Sequence, residues 1–241
     1  MTQEQHVGPK GIKQALAASV RAWRSPDRLA MYLIGVMIFS LGALFFIVSQ
    51  LGTDPLDVFV IALNNQLQVG LGACSALFSV GLLLWWALWN RQWPPLSPFI
   101  TTTLTGLFID LWLLLELDQA LAAILGPYVL LSIGLALCAY ASALIIMSGI
   151  GIRVIDLLVI SMMNKLGWSF TLAKMVLEIS IFLVGWALGG PFGIGTIAFL
   201  LIIAPMIKPF MNMNERYLRM GNYGLKRRNA EFAPPVSLSG K

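Results

Sequence analysis

Two stretches decide how this chain folds. They are Gly52-Thr-Asp-Pro-Leu-Asp-Val-Phe-Val-Ile-Ala-Leu-Asn-Asn-Gln-Leu67 and Gly151-Ile-Arg-Val-Ile-Asp-Leu-Leu-Val-Ile-Ser-Met-Met-Asn-Lys-Leu166. They align without gaps, and six of 16 positions are identical: Gly52/Gly151, Asp57/Asp156, Val60/Val159, Ile61/Ile160, Asn65/Asn164 and Leu67/Leu166. Each is apolar for only about ten residues, and a helix of 13 residues spans about 20 Å, too little to cross a hydrocarbon core of about 30 Å. The two segments should either dip into the membrane and return or lie at its surface. Pro55 suits the first turn of a helix, with Asp54 as its cap and Asp57 beside its positive end. Arg153 stands in the capping slot of the second stretch, so that start signal is only half kept.

Working outward, long apolar runs flank both stretches. The chain of 241 residues is 58% hydrophobic and 11% charged, with 16 basic and 11 acidic side chains; a soluble domain carries about 25% charged residues. The mean hydropathy is +0.81. Six runs are long enough to cross: 31–51, 71–89, 98–117, 128–148, 168–188 and 192–211. Most bases sit on the two tails, among them Lys10, Lys13, Arg21, Arg24 and Arg28, then Arg216, Arg219, Lys226, Arg227 and Arg228. Lysine and arginine stay on the cytoplasmic side. Both ends are therefore expected inside, with Arg91 and Arg153 internal and Asp54, Asp57, Glu116 and Asp118 external. The rival has eight crossings, with both short stretches spanning.

The order of long span, short segment, span, span occurs twice, and Trp86-Ala-Leu88 meets Trp186-Ala-Leu188 at nearly the same shift. Internal duplication explains this economically. Three spans per copy turn the second copy over, so the short helices enter from opposite sides. The expected fold is all-α: a membrane helix bundle of six transmembrane helices as two inverted repeats of three, each with an additional short helix. Residues 1–28 form a basic amphipathic tail, 29–117 and 128–211 the two repeats of one membrane domain, and 212–241 a flexible basic tail. Inverted repeats with interrupted helices are a recurrent construction of secondary transporters.

The run Leu51-Gly-Thr-Asp-Pro-Leu-Asp57, Glu178 in a late span, and Gly185-Trp-Ala-Leu-Gly-Gly190 followed by Gly193-Ile-Gly-Thr196 resemble the YczE/YyaS/YitT family of bacterial membrane proteins. The resemblance covers roughly residues 28–208. It implies a multi-pass protein of the bacterial inner membrane, with some relatives suspected of exporting small molecules. One departure stands out: where the family's first copy usually has Gly-x-Gly-Thr, this chain reads Leu96-Ser-Pro-Phe-Ile-Thr101.

Three charges fall inside spans, where each is costly unless paired or wetted. Lys174 and Glu178 are four apart and share one helix face; they form either a functional site or a structural pair that neutralises itself. Asp110 ends a polar stripe with Thr103 and Gly106. A cavity lined by Asp110, Lys174, Glu178, Asn65 and Asn164 is expected, with the short-helix N-termini at Asp54, Asp57 and Asp156 close by. Gly134, Cys138 and Ser142 make a small-xxx-small packing face. Gly189, Gly190, Gly193 and Gly195 form either a backbone anion nest or a tight turn.

His6 is the only histidine, Cys74 and Cys138 lie in apolar runs, and no phosphate-binding glycine motif occurs. No catalytic residue, metal or cofactor is expected, and the protein is read as no enzyme. The leading function is a secondary transporter or exporter of a small organic molecule, an anionic one included. The alternative is a non-catalytic membrane scaffold. Expected partners are the lipid bilayer, a small-molecule substrate and a second copy of the chain, with no nucleic acid.

Overall fold

The computed structural model describes residues 23–223, and these are helical without a strand. The expectations for the basic tails fall largely outside them. In chain order the helices are α1 (Pro26–Ser49), α2 (Pro55–Leu67), α3 (Leu71–Asn90), α4 (Leu96–Leu114), α5 (Leu117–Ile124), α6 (Pro127–Ser148), α7 (Val154–Leu166), α8 (Phe170–Ala187) and α9 (Ile194–Tyr217).

Four of them, α1, α3, α4 and α6, are long and apolar enough to cross a membrane. A fifth is α9, if its two parts are one span: it bends by 51° between Ile203 and Pro205. Proline lacks the N–H and clashes with the preceding turn, so the bend falls where Pro205 stands. The run at 168–188 forms α8, 18 residues long with Lys174 and Glu178 in its first half. The chain is thus a membrane protein with several apolar helices.

Local chemistry sets the ends of these helices. Asp54 Oδ1 accepts the backbone N–H of Leu56 at 2.9 Å, and Pro55 occupies the first turn of α2. Arg153 makes no side-chain cap on α7. Sequence reading runs the third span on to 117, but Glu116 turns into the left-handed region at φ 56°. That turn ends the helix early and starts α5, a short helix that buries no residue.

Helices α1 and α6 form the central pair and run antiparallel. A Cβ on Gly35 would lie 2.9 Å from Ile145, one on Gly42 2.7 Å from Cys138, and one on Gly134 3.1 Å from Phe46. Numbers rise along one helix as they fall along the other. In lipid, apolar side chains gain nothing by leaving solvent, so helices associate through close packing, which small residues permit. Gly134, Cys138 and Ser142 do lie on this buried face.

Around the pair, α3 packs along α4, α2 against the end of α8, and α7 against α3 and α8. Several contacts recur at the 99-residue spacing of the two short helices. Ser49 and Ser148 each donate back into the last turn of their long helix, at 2.7 and 2.6 Å. Each then accepts a loop N–H at 3.2 Å, from Leu51 and Ile150. Gln66 Nε2 donates to Leu188 O, and its counterpart Lys165 Nζ donates to Trp89 O. Gly52 sits against Thr196, and Gly151 against Thr101. The two short helices are therefore held by the rest of the bundle at positions that correspond in the alignment.

Candidate functional site

The N-termini of α2 and α7 converge. Arg153 Nη2 lies 2.5 Å from Asp54 Oδ2. These two residues occupy the same position in the two short stretches. Equivalent positions that meet each other cannot both be aspartate without repulsion, and a buried like-charge pair is strongly unfavourable. The half-kept capping motif thus has a physical reason: Arg153 gives up its own helix's cap to neutralise the cap of the other. Its guanidinium carbon also lies 4.6 Å from the centre of the Phe39 ring, a cation–π contact.

One turn further in, Asp156 Oδ1 lies 3.0 Å from Lys174 Nζ, and Glu178 Oε1 lies 2.9 Å from the same nitrogen. Lys174 is thus shared between two carboxylates. Asp57, Asp156's counterpart, is buried with Oδ2 unpartnered. Arg153 feels the charges of Asp54, Asp156, Glu178 and Asp57 together. Six ionisable groups therefore form one electrostatic unit, and Asp54 and Glu178 are 1% and 2% exposed. Such groups are tolerated inside a membrane protein only when they are paired or given polar company.

A cavity of about 210 Å³ opens beside this cluster. Lys174 and Glu178 reach it from α8, while Phe199, Leu200, Leu201, Ile203 and Pro205 line it from α9. The corresponding place between α3 and α4 is closed. There, Gly72, Ser75 and Gly106 bring α3 and α4 so close that a Cβ on Gly106 would lie 2.6 Å from Ser75 Oγ. At the equivalent steps the second half carries Lys174 in place of Ser75 and Leu201 in place of Gly106, counted from Thr101 and Thr196. Ser79 stands where Glu178 would be and is also buried without a partner.

The other expected residues lie elsewhere. Both carboxylate oxygens of Asp110 accept backbone N–H groups at the start of α3, from Leu71 at 2.9 Å and Gly72 at 2.7 Å. That geometry is a helix cap supplied by a neighbouring helix. Asn65 and Asn164 are exposed at the far ends of their helices. Asn65 lines a separate cavity of about 250 Å³ with Gln50, Gly52, Thr53 and Pro191. The structure thus brings together Lys174, Glu178 and the three short-helix aspartates but separates them from Asp110 and the asparagines. In the glycine loop, the N–H groups of Gly189 and Gly190 bond to the Trp186 and Gly185 carbonyls, as a turn requires, and the Gly195 N–H reaches across to Leu51 O at 2.7 Å. Sequence reading missed Arg153 as a member of the cluster, although its alignment with Asp54 carried the signal. Among the described residues, no group of three or more potential ligands could hold a metal ion.

Comparison with known proteins places this helical body. The profile described as "Family of unknown function (DUF6198)" matches residues 26–212. The Bacillus subtilis "Uncharacterized membrane protein YczE" is 26% identical over 212 residues, covering 87% of this chain and 96% of its own length. YyaS, also from Bacillus subtilis, is 32% identical over 193 residues, or 79% of this chain and 96% of its own. A Haemophilus influenzae protein is 24% identical over 200 residues, 83% of this chain and 90% of its own. No solved structure matches. The matched region runs from the first turn of α1 nearly to the end of α9 and holds the whole charge cluster, so the chain belongs to the YczE/YyaS family, DUF6198.

Proposed function

We propose that this chain is a secondary transporter of a small organic molecule across the bacterial inner membrane, and not an enzyme. One observation carries the reading: the buried ion cluster sits where the N-termini of two short helices meet, and it borders a cavity. In transporters built from repeats, such broken-helix ends hold the substrate near the midplane. A purely structural cluster would have no need of the cavity beside it.

The architecture belonging to this reading has six crossings in two inverted halves, with both termini cytoplasmic. What supports it is the antiparallel packing of α1 on α6. Successive crossings alternate in direction, so an antiparallel pair has an even number of crossings between its members. With α3 and α4 crossing between them and α2 not, the count is two. Had α2 crossed as well, α1 and α6 would run parallel, as in the eight-crossing rival. The exchanged contacts between halves support the duplication in the same way.

The test is a ligand screen on purified full-length protein by thermal stabilisation, with hits carried into proteoliposome flux. A ligand at a hundred times its Kd stabilises by about 2.7 kcal/mol, well within detection. A transporter gives saturable binding and flux, and the paired replacement Lys174→Gln with Glu178→Gln stays folded yet loses flux. Normal transport by that double variant would end the reading of this site. Stable capture of a partner protein without any binding or flux would favour the scaffold instead.

A further inference from the structure

The charges of the cluster do not balance. Among the described residues, Asp54, Asp57, Asp156 and Glu178 are set against Arg153 and Lys174. Two helix N-termini, those of α2 and α7, point into the same place, and each acts as roughly half a positive charge. Together they offset about one of the two surplus negative charges. A surplus of about one negative charge remains, in surroundings where an uncompensated charge is very costly.

One atom marks where the compensation is missing. Asp57 is 7% exposed, and its Oδ2 has no hydrogen-bond partner. Glu178 lines the cavity, is 2% exposed, and meets Lys174 at 2.9 Å through Oε1. Lys174 is already shared between Asp156 and Glu178, and Arg153 is engaged by Asp54. An anion entering this cavity would therefore meet no uncommitted cation in the cluster and would deepen the imbalance.

Resting on the transporter reading above, we propose that the cavity between α8 and α9 takes a small organic monocation beside Glu178 in exchange for one proton. The cation enters with its charged head against the Glu178 carboxylate and its apolar body against Phe199, Leu201 and Ile203. One proton leaves the cluster for water, so the net charge of the interior is unchanged. The charged groups that act on Glu178 are Lys174 on its own helix and Asp54 and Arg153 at the short-helix starts, and Asp156 on α7 shares Lys174 with it. From α9 the cavity receives only apolar side chains, since Lys208, Glu215 and Arg216 lie beyond the bend at Pro205. At about 210 Å³ the space is below the roughly 300–1,000 Å³ of drug-sized pockets, which suits an ammonium carrying one aromatic ring.

Benzyltrimethylammonium is the probe, and benzenesulfonate is the matched anion. Binding of both to purified full-length protein is measured from pH 5 to pH 8, and flux of both is followed in proteoliposomes. Displacement of one proton makes the affinity for the cation rise with pH, by about tenfold per unit where the proton is bound. Cation binding in unbuffered solution then acidifies the medium. Glu178→Gln abolishes the cation binding, and Asp57→Asn weakens it at least about tenfold; the external Asp118→Asn leaves it unchanged. Elution as a single folded species controls for each variant. Binding of the cation that is independent of pH, or binding of neither probe, overturns the inference. Preferred binding and flux of benzenesulfonate overturn it too, while leaving the transporter reading standing.

Discussion

The contact between Asp54 and Arg153 can be turned around. Exchanging them, with Asp54→Arg and Arg153→Asp in one chain, tests whether the two positions are equivalent by structure and not only by alignment. Each single change breaks a buried ion pair and places like charges face to face. Removing one partner of a buried pair costs about 3–5 kcal/mol. Asp54→Arg also removes the cap on Leu56 N, worth about 1 kcal/mol. The double exchange restores the pair and moves the aspartate to the start of α7, where it can cap that helix instead. The cap lost by α2 is thereby regained by α7. One contact does not transfer: Arg153 lies over the Phe39 ring, whereas the position equivalent to Phe39 is Cys138. Losing that cation–π contact costs about 1–2 kcal/mol. The double variant should therefore fall within about 2 kcal/mol of the parent, while each single variant loses about 3–5 kcal/mol or more. Reversible unfolding in mixed micelles measures all four chains as a double-mutant cycle. A double variant as unstable as the sum of its singles would refute the claim that these positions are equivalent.

Three further outcomes follow from the geometry. Gly52 has φ 103°, and a Cβ there would lie 2.7 Å from both Gly193 N and Thr196 Oγ1, so Gly52→Ala should cost at least about 2 kcal/mol. Gly167→Ala, also at positive φ but in open space, should cost only about 1 kcal/mol; equal losses in thermal unfolding would contradict this. Cysteines placed at Gly35 and Ile145 should cross-link on mild oxidation, detectable on a gel after cleavage in the α4–α6 region, and failure to do so would argue against the antiparallel pair. A cysteine at Arg91 should react with an impermeant thiol reagent only after the membrane is opened, and reaction in intact cells would overturn the six-crossing topology.

Some of this protein was legible in its residues alone. Hydrophobic length marked the apolar helices, because a backbone in lipid has to satisfy its own hydrogen bonds. Length also picked out both stretches as too short to cross, and the helices they form, Pro55–Leu67 and Val154–Leu166, have the 13 residues expected. The identities between the two stretches, and the loss of the cap at Arg153, were visible as well. What the sequence could not do was assign partners. Asp110 and Glu178 are both lone carboxylates in apolar runs, and nothing local separates them. Only the approach of the α3 backbone makes Asp110 a cap, and only the gap beside α9 makes Glu178 a cavity residue. Likewise Arg153 reads as a positive-inside charge and becomes the counter-ion of Asp54 only when the two halves meet. Span length and charge are local quantities summed along the chain, so the sequence determines them. The meeting of residues 99 apart depends on which helix faces pack together, and that is settled by the shapes of small residues at α1, α6, α3 and α4, in three dimensions.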